Sequence, residues 1–397
     1  MGTSRTAVGV ALPALGAAAL AGTLLVVAAS GCAGTYGGGA AVSSTQSPAD
    51  EADASYFWND LAPYGRWVDY APYGWCWVPD GAPPDWRPYE YGRWAYTDAG
   101  FCWASDDPWG WATDHYGRWT YDSFYGWIWV PGAVWAPAWV AWHCGDDWVG
   151  WAPLPPTATW DVAAGLHFAD ADRIPADQWC FVHRRQFVDA KLHERVVPVV
   201  MNERLLKRTR DTTRFGVRGG RPVNDGLDVR FLESGRVKVT KVALADVDSA
   251  QKVRQGGADR GAVRVFRPVI REETLRGGPP IAVRDHPAAA SAPTLRKQYD
   301  KRRHDLEQSL ARERSALQKE HANELRAAPV GSAAEIRGRQ AAERQAFERR
   351  AEERRRTLEE QQRQGLAKAE SESERKPESE RTPDRESPRS EKRKGGS

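Results

Sequence analysis

The sequence is short of methionine, with 2 in 397 residues, and has only 5 cysteines. Tryptophan is absent from the first 57 residues and from the last 218; all 19 lie between Trp58 and Trp179. That confinement excludes one evenly mixed globular domain, so the chain is modular. After residue 31 no uninterrupted apolar run reaches the ~18 residues that a bilayer crossing needs, which excludes a polytopic membrane protein. No catalytic constellation stands out.

The formal charge of +3 conceals an internal division. Residues 51–160 carry 14 acidic and 4 basic side chains, whereas residues 161–291 carry 17 acidic and 24 basic ones. Opposed charge lets the two parts dock, or leaves the basic part to meet anionic lipid or glycan. Its densest run, Arg204, Lys207, Arg208, Arg210 and Arg214, reads as a solvated surface, and nucleic acid is not an expected partner.

The N-terminus has one basic side chain, Arg5, an apolar stretch from Ala7 to Ala29, and then Ser30-Gly31-Cys32. A basic head, an apolar stretch and small residues describe a secretory signal. The cysteine after Ser-Gly makes it resemble a bacterial lipoprotein signal, with Ala29 where that family usually has Leu. The resemblance implies removal of residues 1–31 and diacylation of Cys32 as the new N-terminus. Two or three acyl chains anchor a protein stably. Ala33 after the cysteine, by the same resemblance, implies the outer membrane. Residues 32–54, mostly Ala, Gly, Ser and Thr, read as a flexible tether.

From Tyr64 the chain repeats itself. Tyr-Gly-Arg-Trp recurs at Tyr64–Trp67, Tyr91–Trp94 and Tyr116–Trp119. Each copy precedes a second aromatic segment: Gly74-Trp75-Cys76-Trp77-Val78-Pro79, Gly100-Phe101-Cys102-Trp103 and Gly126-Trp127-Ile128-Trp129-Val130-Pro131. A degenerate copy runs through Trp148-Val149-Gly150-Trp151-Ala152-Pro153. Two aromatic segments per period indicate a repeat architecture. Aromatic content with frequent Gly and Pro favours pairs of short strands over helix. The expected fold for residues 55–157 is therefore mainly β, a meander or partly closed sheet of six to eight strands. Arg66, Arg93 and Arg118 lie beside aromatic rings on which they can stack.

These motifs, with Pro137-Ala138-Trp139-Val140-Ala141-Trp142, resemble an uncharacterised family of bacterial envelope proteins, a domain of unknown function. The likeness extends more loosely through Trp179-Cys180-Phe181-Val182 to Val265-Phe266-Arg267-Pro268, spanning residues 56–270. It implies architecture and location, and no activity.

Residues 158–290 read as a basic, β-rich module. Strands are expected at Val196–Val200, Val237–Leu244 and Ala262–Ile270, with a helix at Leu227–Ser234 capped by Asn224 or Asp225 and ended by Gly235. From residue 291 to 369 the composition turns to Arg, Glu, Gln and Ala. Leu295, Leu306 and Leu317 recur every 11 residues, as do Tyr299, Leu310 and His321, and then Ile336, Phe347 and Leu358. Eleven residues make three helical turns, so each set lies on one stripe. A break at Pro329-Val330-Gly331-Ser332 allows an antiparallel coiled-coil-like hairpin, association with a partner's helices, or a single solvated helix. Residues 370–397 have the composition of a disordered tail.

Once Cys32 is lipidated, Cys76, Cys102, Cys144 and Cys180 remain, an even number that favours disulfides, with three connectivities open. Cys76 and Cys102 hold equivalent repeat positions and need a curved or facing sheet to meet; Cys144 with Cys180 is the complement. The alternative, zinc on His143, Cys144, Cys180 and His183, lacks a standard spacing. A Cys–His nucleophile from the same residues lacks any flanking signature. Asp106-Asp107 and Asp146-Asp147 read as turn residues, since adjacent strand positions face opposite ways. No metal or cofactor is expected.

Two functions follow as expectations. The first is a non-enzymatic, lipid-anchored envelope protein with a structural or interaction role, self-associating or meeting an envelope partner through its helical tail. The second is binding of peptidoglycan or surface polysaccharide on exposed faces of Trp67, Trp94, Trp119, Trp75, Trp77, Trp127 and Trp129.

Overall fold

The computed structural model describes residues 54–80, 82–83, 86–122, 125–168, 171–255, 261–280 and 292–375. The expected leader, Cys32, nearly all of the tether and residues 376–397 lie outside these.

Helix α1 (Ser55–Leu61) buries Phe57, Trp58 and Leu61 under the first sheet. Each repeat is then one antiparallel hairpin. They are β1 (Gly65–Tyr70) with β2 (Gly74–Pro79), and β3 (Gly92–Thr97) with β4 (Gly100–Ser105). After the single turn α2 (Gly110–Thr113) come β5 (Arg118–Asp122) with β6 (Gly126–Val130), and β7 (Val140–Gly145) with β8 (Trp148–Pro153). The register places two indoles opposite one another in all four: Trp67 and Trp77, Trp94 and Trp103, Trp119 and Trp129, Trp142 and Trp151. A directly opposed aromatic pair contributes about 0.2–1 kcal/mol beyond its alanine counterpart.

The glycine of Tyr-Gly-Arg-Trp has a packing reason. A Cβ would lie 2.5 Å from the Trp77 indole at Gly65, 2.7 Å from Trp103 at Gly92 and 2.8 Å from Trp129 at Gly117. The motif leaves a slot for the indole of its partner strand. Gly117 also holds φ at +64°, a conformation that side chains disfavour.

The mainly-β class of this half holds, but the hairpins do not run on as one meander. β2 pairs with β6 through Trp77 and Trp129, giving the order β1-β2-β6-β5. The other two hairpins recruit later strands. Between the last hairpin and those strands in the chain, β9 (Thr159–Asp161) and β10 (Gly165–His167) form a separate two-stranded ribbon. β11 (Cys180–His183) and β12 (Arg210–Asp211) flank the fourth hairpin in the order β11-β8-β7-β12. β13 (Phe215–Arg218) and β14 (Arg221–Asn224) extend the second, in the order β13-β14-β4-β3. No sheet closes into a barrel among the described residues. Sheets thus cross the expected boundary at 157/158: the aromatic and basic segments complete each other's sheets.

Beyond them, β15 (Ala243–Val247) and β16 (Ala262–Phe266) form a parallel pair. The short helices are α3 (Asn202–Arg208), α4 (Val229–Ser234), α5 (Ala250–Arg254) and α6 (Glu272–Arg276). Val196–Val200 is not a strand. Pro198 lacks the N–H that a ladder needs, and the chain turns into a 3₁₀ segment at Val199–Met201. The strand expected from Val237 begins only at Ala243, because the Val237 N–H is bonded to the Leu232 carbonyl (3.2 Å) beyond the end of α4. That helix is capped by Asp228, whose carboxylate accepts from the Arg230 N–H (2.9 Å), and not by Asn224 or Asp225. Asn224 is spent on β14, where it accepts from the Trp142 indole (2.6 Å) and donates to the Ala138 carbonyl (3.1 Å).

Helices α7 (Ala292–Arg326) and α8 (Ala333–Arg375) form an antiparallel hairpin around the break at Pro329–Ser332. Leu306, Leu310, Leu317, Ile336, Phe347 and Leu358 are all buried, so the 11-residue intervals mark the seam. Ion pairs flank it, including Arg354–Glu313 at 3.0 Å and Arg314–Glu348 at 2.9 Å. The hairpin is also docked: Leu306, Leu310 and Phe347 share one apolar cluster with Trp139, Trp179, Phe181 and Met201. Arg204, on α3, reaches Glu324 at 2.7 Å and Glu343 at 3.4 Å, so this member of the basic run is not simply solvated. Truncating Phe347, which is 2% exposed, to alanine should cost about 3–5 kcal/mol. Amide exchange should then accelerate in α7 and α8 far more than in β1–β8; uniform acceleration would contradict a separately breathing hairpin.

Candidate functional site

The structure assigns the seven sequence-predicted ligand aromatics mostly to packing. Trp67, Trp77, Trp94, Trp119 and Trp129 belong to the main core and offer no free face. Among all 19 indoles, only Trp75, Trp148 and Trp160 are not buried. Trp75 is itself partly covered by Gly278, where a Cβ would lie 2.3 Å from the indole. The surplus of tryptophan is absorbed because several sheets, α1 and the helical hairpin give the rings surfaces to pack on. Trp127 differs, since its edge borders an open cleft.

The four cysteines are separate buried thiols, and no disulfide joins them among the described residues. Cys76 and Cys102 sit on different sheets, β2 and β4. Cys144 and Cys180 are on β7 and β11 with β8 between them and are opposite Val149 and Trp151, two residues apart along it, hence more than the ~9.6 Å of two ~4.8 Å strand spacings apart. A disulfide needs about 4.4–6.8 Å between Cα atoms. Burial pushes the thiols up to about 12 at Cys76, Cys102 and Cys180, and to about 11 at Cys144. Such thiols stay protonated near neutrality, the opposite of an activated nucleophile.

The residues weighed for zinc do not converge. His143 lies beside Asp172 (3.1 Å) and Thr209 (3.1 Å), whereas Cys180 lies within the charge field of Arg87. No group of three or more metal-ligating side chains occurs among the described residues. Asp146 and Asp147 form the two-residue turn between β7 and β8, both at positive φ, and pair with Arg208 and Arg184. Two consecutive positive-φ residues suit the right-handed twist of a tight hairpin.

Asp107 behaves differently from a turn residue. It accepts from the Trp86 indole N–H at 3.0 Å. Burial pushes its carboxyl up to about 7, against the Trp86 N–H that favours the charged form. Asp114, 1% exposed, is pushed well above the carboxylate range by burial and by Asp107. A raised carboxyl pKa means that the folded state holds the proton more tightly. The stability from this group is thus complete below pH ~4 and lost as pH rises through about 7. Asp107→Asn should flatten the denaturant midpoint between pH 4 and 7, and a parent-like slope in that variant would remove the assignment.

The arginines of the repeats diverge. Arg66 pairs with Asp80 at the surface. Arg118 is half-buried, stacked 3.6 Å from the Trp139 ring, and donates to the carbonyls of Ala158 (2.8 Å) and Gly117 (2.7 Å). With no carboxylate against it, burial pulls it down to about 9.

A cleft of about 610 Å³ opens between the aromatic head and the docked hairpin. The head contributes Trp86, Tyr91, Tyr121 and Trp127; the hairpin contributes Arg312, Glu313, Arg350 and Arg354. Its floor holds Arg87, 8% exposed, which grips Glu90 through Nε (3.0 Å) and Nη2 (3.2 Å) and donates from Nη1 to the Trp179 carbonyl (2.9 Å). Sequence reading missed this site. Its walls come from residues 86–127, 177–199 and 309–354, and only the docking of the hairpin brings them together.

Residues 58–158 match the model of a family of unknown function, DUF6600. The match covers the four hairpins and stops well short of residue 270. No curated protein and no solved structure matches the chain.

Proposed function

We propose that the chain is a non-enzymatic, lipid-anchored protein of the bacterial cell envelope, held at the outer membrane through Cys32. It serves as a rigid interaction platform built from an aromatic head and a docked helical arm. The observation that carries the reading is the commitment of reactive groups to structure. The thiols are buried and protonated, Asp146 and Asp147 make a turn, and Arg118 braces Trp139. The hairpin supports the same reading, because its seam is used internally and its outer face offers a partner alternating Arg and Glu. A partner would therefore be held by salt-sensitive contacts.

Cells fed labelled palmitate should mark the full chain and leave its Cys32→Ser form unmarked. Equal label on both, or on neither, rejects the anchor. Envelope proteins recovered with the full chain should be lost when Arg and Glu positions on the outer face of α8, such as Arg349 and Glu352, are replaced by alanine. Recovery that ignores those changes rejects the arm as the contact.

A further inference from the structure

The cleft between head and hairpin has the chemistry of a ligand site. Its volume, about 610 Å³, falls within the ~300–1,000 Å³ typical of small-molecule pockets. One wall is aromatic. Tyr121 is 52% exposed and packs edge-on against Trp127 at 5.6 Å between centroids. Trp127 is itself buried, and only its edge reaches the cleft. Tyr91 lies flat against His193, with centroids 5.1 Å apart and planes at 18°.

The opposite wall and floor carry charges that are already matched. Glu90 holds Arg87, Glu313 holds Arg354 at 3.0 Å, and Asp177 faces Arg350 at 3.8 Å. Arg312 alone among the cleft guanidiniums has no carboxylate partner among the described residues. Pairwise compensation leaves little net field for a phosphate or a polyanion, and so many fixed ionic groups disfavour an acyl chain. What remains is a set of oriented donors and acceptors beside flat ring faces. That combination suits a neutral polyhydroxylated ring, with its apolar C–H face on the exposed Tyr121 phenol and its hydroxyls on carboxylate and guanidinium edges.

We infer that this cleft binds a neutral saccharide, one or two rings of a longer glycan, with the exposed Tyr121 ring as the stacking face, the edge of Trp127 beside it, and Arg312 as the free hydroxyl-binding cation. The site is non-catalytic and does not depend on the lipid anchor. The glycan contact thus falls to Tyr121 and the cleft edge of Trp127 rather than to the faces of the hairpin Trp pairs, which are buried in the core.

Ligand-observed NMR and calorimetry on the full chain test this, using the tetramer of N-acetylglucosamine and maltotetraose as probes. At least one should bind with Kd of about 0.1–1 mM, an energy of roughly 4–5.5 kcal/mol. Inorganic phosphate and tetragalacturonate should bind at least about tenfold more weakly, a 1.4 kcal/mol difference. Tyr121→Ala and Arg312→Ala, both at exposed side chains, should each weaken the tetrasaccharide at least about fivefold while leaving thermal unfolding unchanged. Trp127→Ala should abolish binding; if it unfolds the head, the two exposed variants decide. Absence of binding by both neutral probes at 10-fold above the expected range, tighter binding of phosphate or uronate, or parental affinity in both exposed variants overturns the inference.

Discussion

Trp129→Ala should cost about 3–5 kcal/mol, the range for deleting a large aromatic from a core, and should leave the head unfolded or nearly so. The ring is fully buried. It stacks edge-on against Phe57 at 5.1 Å, meets Trp67 at 6.2 Å, and donates to the Tyr116 carbonyl at 2.8 Å. It is also the point at which β6 joins β2, so its loss weakens the link between two hairpins as well as the packing within one. The same site can be attacked from the backbone. In Gly117→Val the new Cβ would lie 2.2 Å from the Val130 carbonyl oxygen and 2.8 Å from the Trp129 indole, at a residue whose φ is +64°. Both variants should lower the midpoint of urea unfolding and the near-ultraviolet dichroism of the indoles. Gly126→Ala, at a turn with φ of +75° but nothing within 4 Å, isolates the conformational part and should cost only about 1 kcal/mol. Equal losses in Gly117→Val and Gly126→Ala would mean that the indole slot has no role.

Glu90→Gln should cost about 3–5 kcal/mol, because it leaves the Arg87 guanidinium buried without its carboxylate. Arg87 is 8% exposed and Glu90 little more, so water cannot replace the lost charge. The informative comparison is the double variant Arg87→Met/Glu90→Leu. Replacing both members of a buried pair by apolar side chains is often neutral or stabilising by about 1–4 kcal/mol, and the Trp179 carbonyl that loses Arg87 (2.9 Å) keeps its bond from the Asn202 side-chain amide (2.7 Å). The double variant should therefore be more stable than Glu90→Gln alone in chemical denaturation. A double variant less stable than the single one would show that the pair is not the source of the cost.

The sequence was legible where structure is local. Each Tyr-Gly-Arg-Trp with its following aromatic segment became one hairpin, and the 11-residue intervals of leucine, isoleucine and phenylalanine became the seam of α7 and α8. Pairing between hairpins was not legible. Hairpins one and three have the same motif as hairpin two, yet only the first and third join, through Trp77 and Trp129. The strands that complete the other sheets carry no repeat motif: Arg210 and Asp211 of β12 are charged, and β14 contains Pro222. The cleft was illegible for a related reason. Arg87 and Glu90 stand three residues apart in a turn-rich stretch that has no periodicity, and their environment is supplied by residues near 179 and 313.

The sheet that pairs Gly100 with Asn224 has a consequence for the order of assembly. The second hairpin cannot acquire its neighbour until residues 221–224 have been made, and the fourth must wait for residues 180–183 and 210–211. Unpaired aromatic edges therefore persist until more than half of the chain has been made, which favours slow folding and makes early products adhesive. The helical hairpin, built from neighbours in sequence, can close at once and then settle against the finished head. A chain cut near residue 200 should be aggregation-prone, even though it contains every tryptophan.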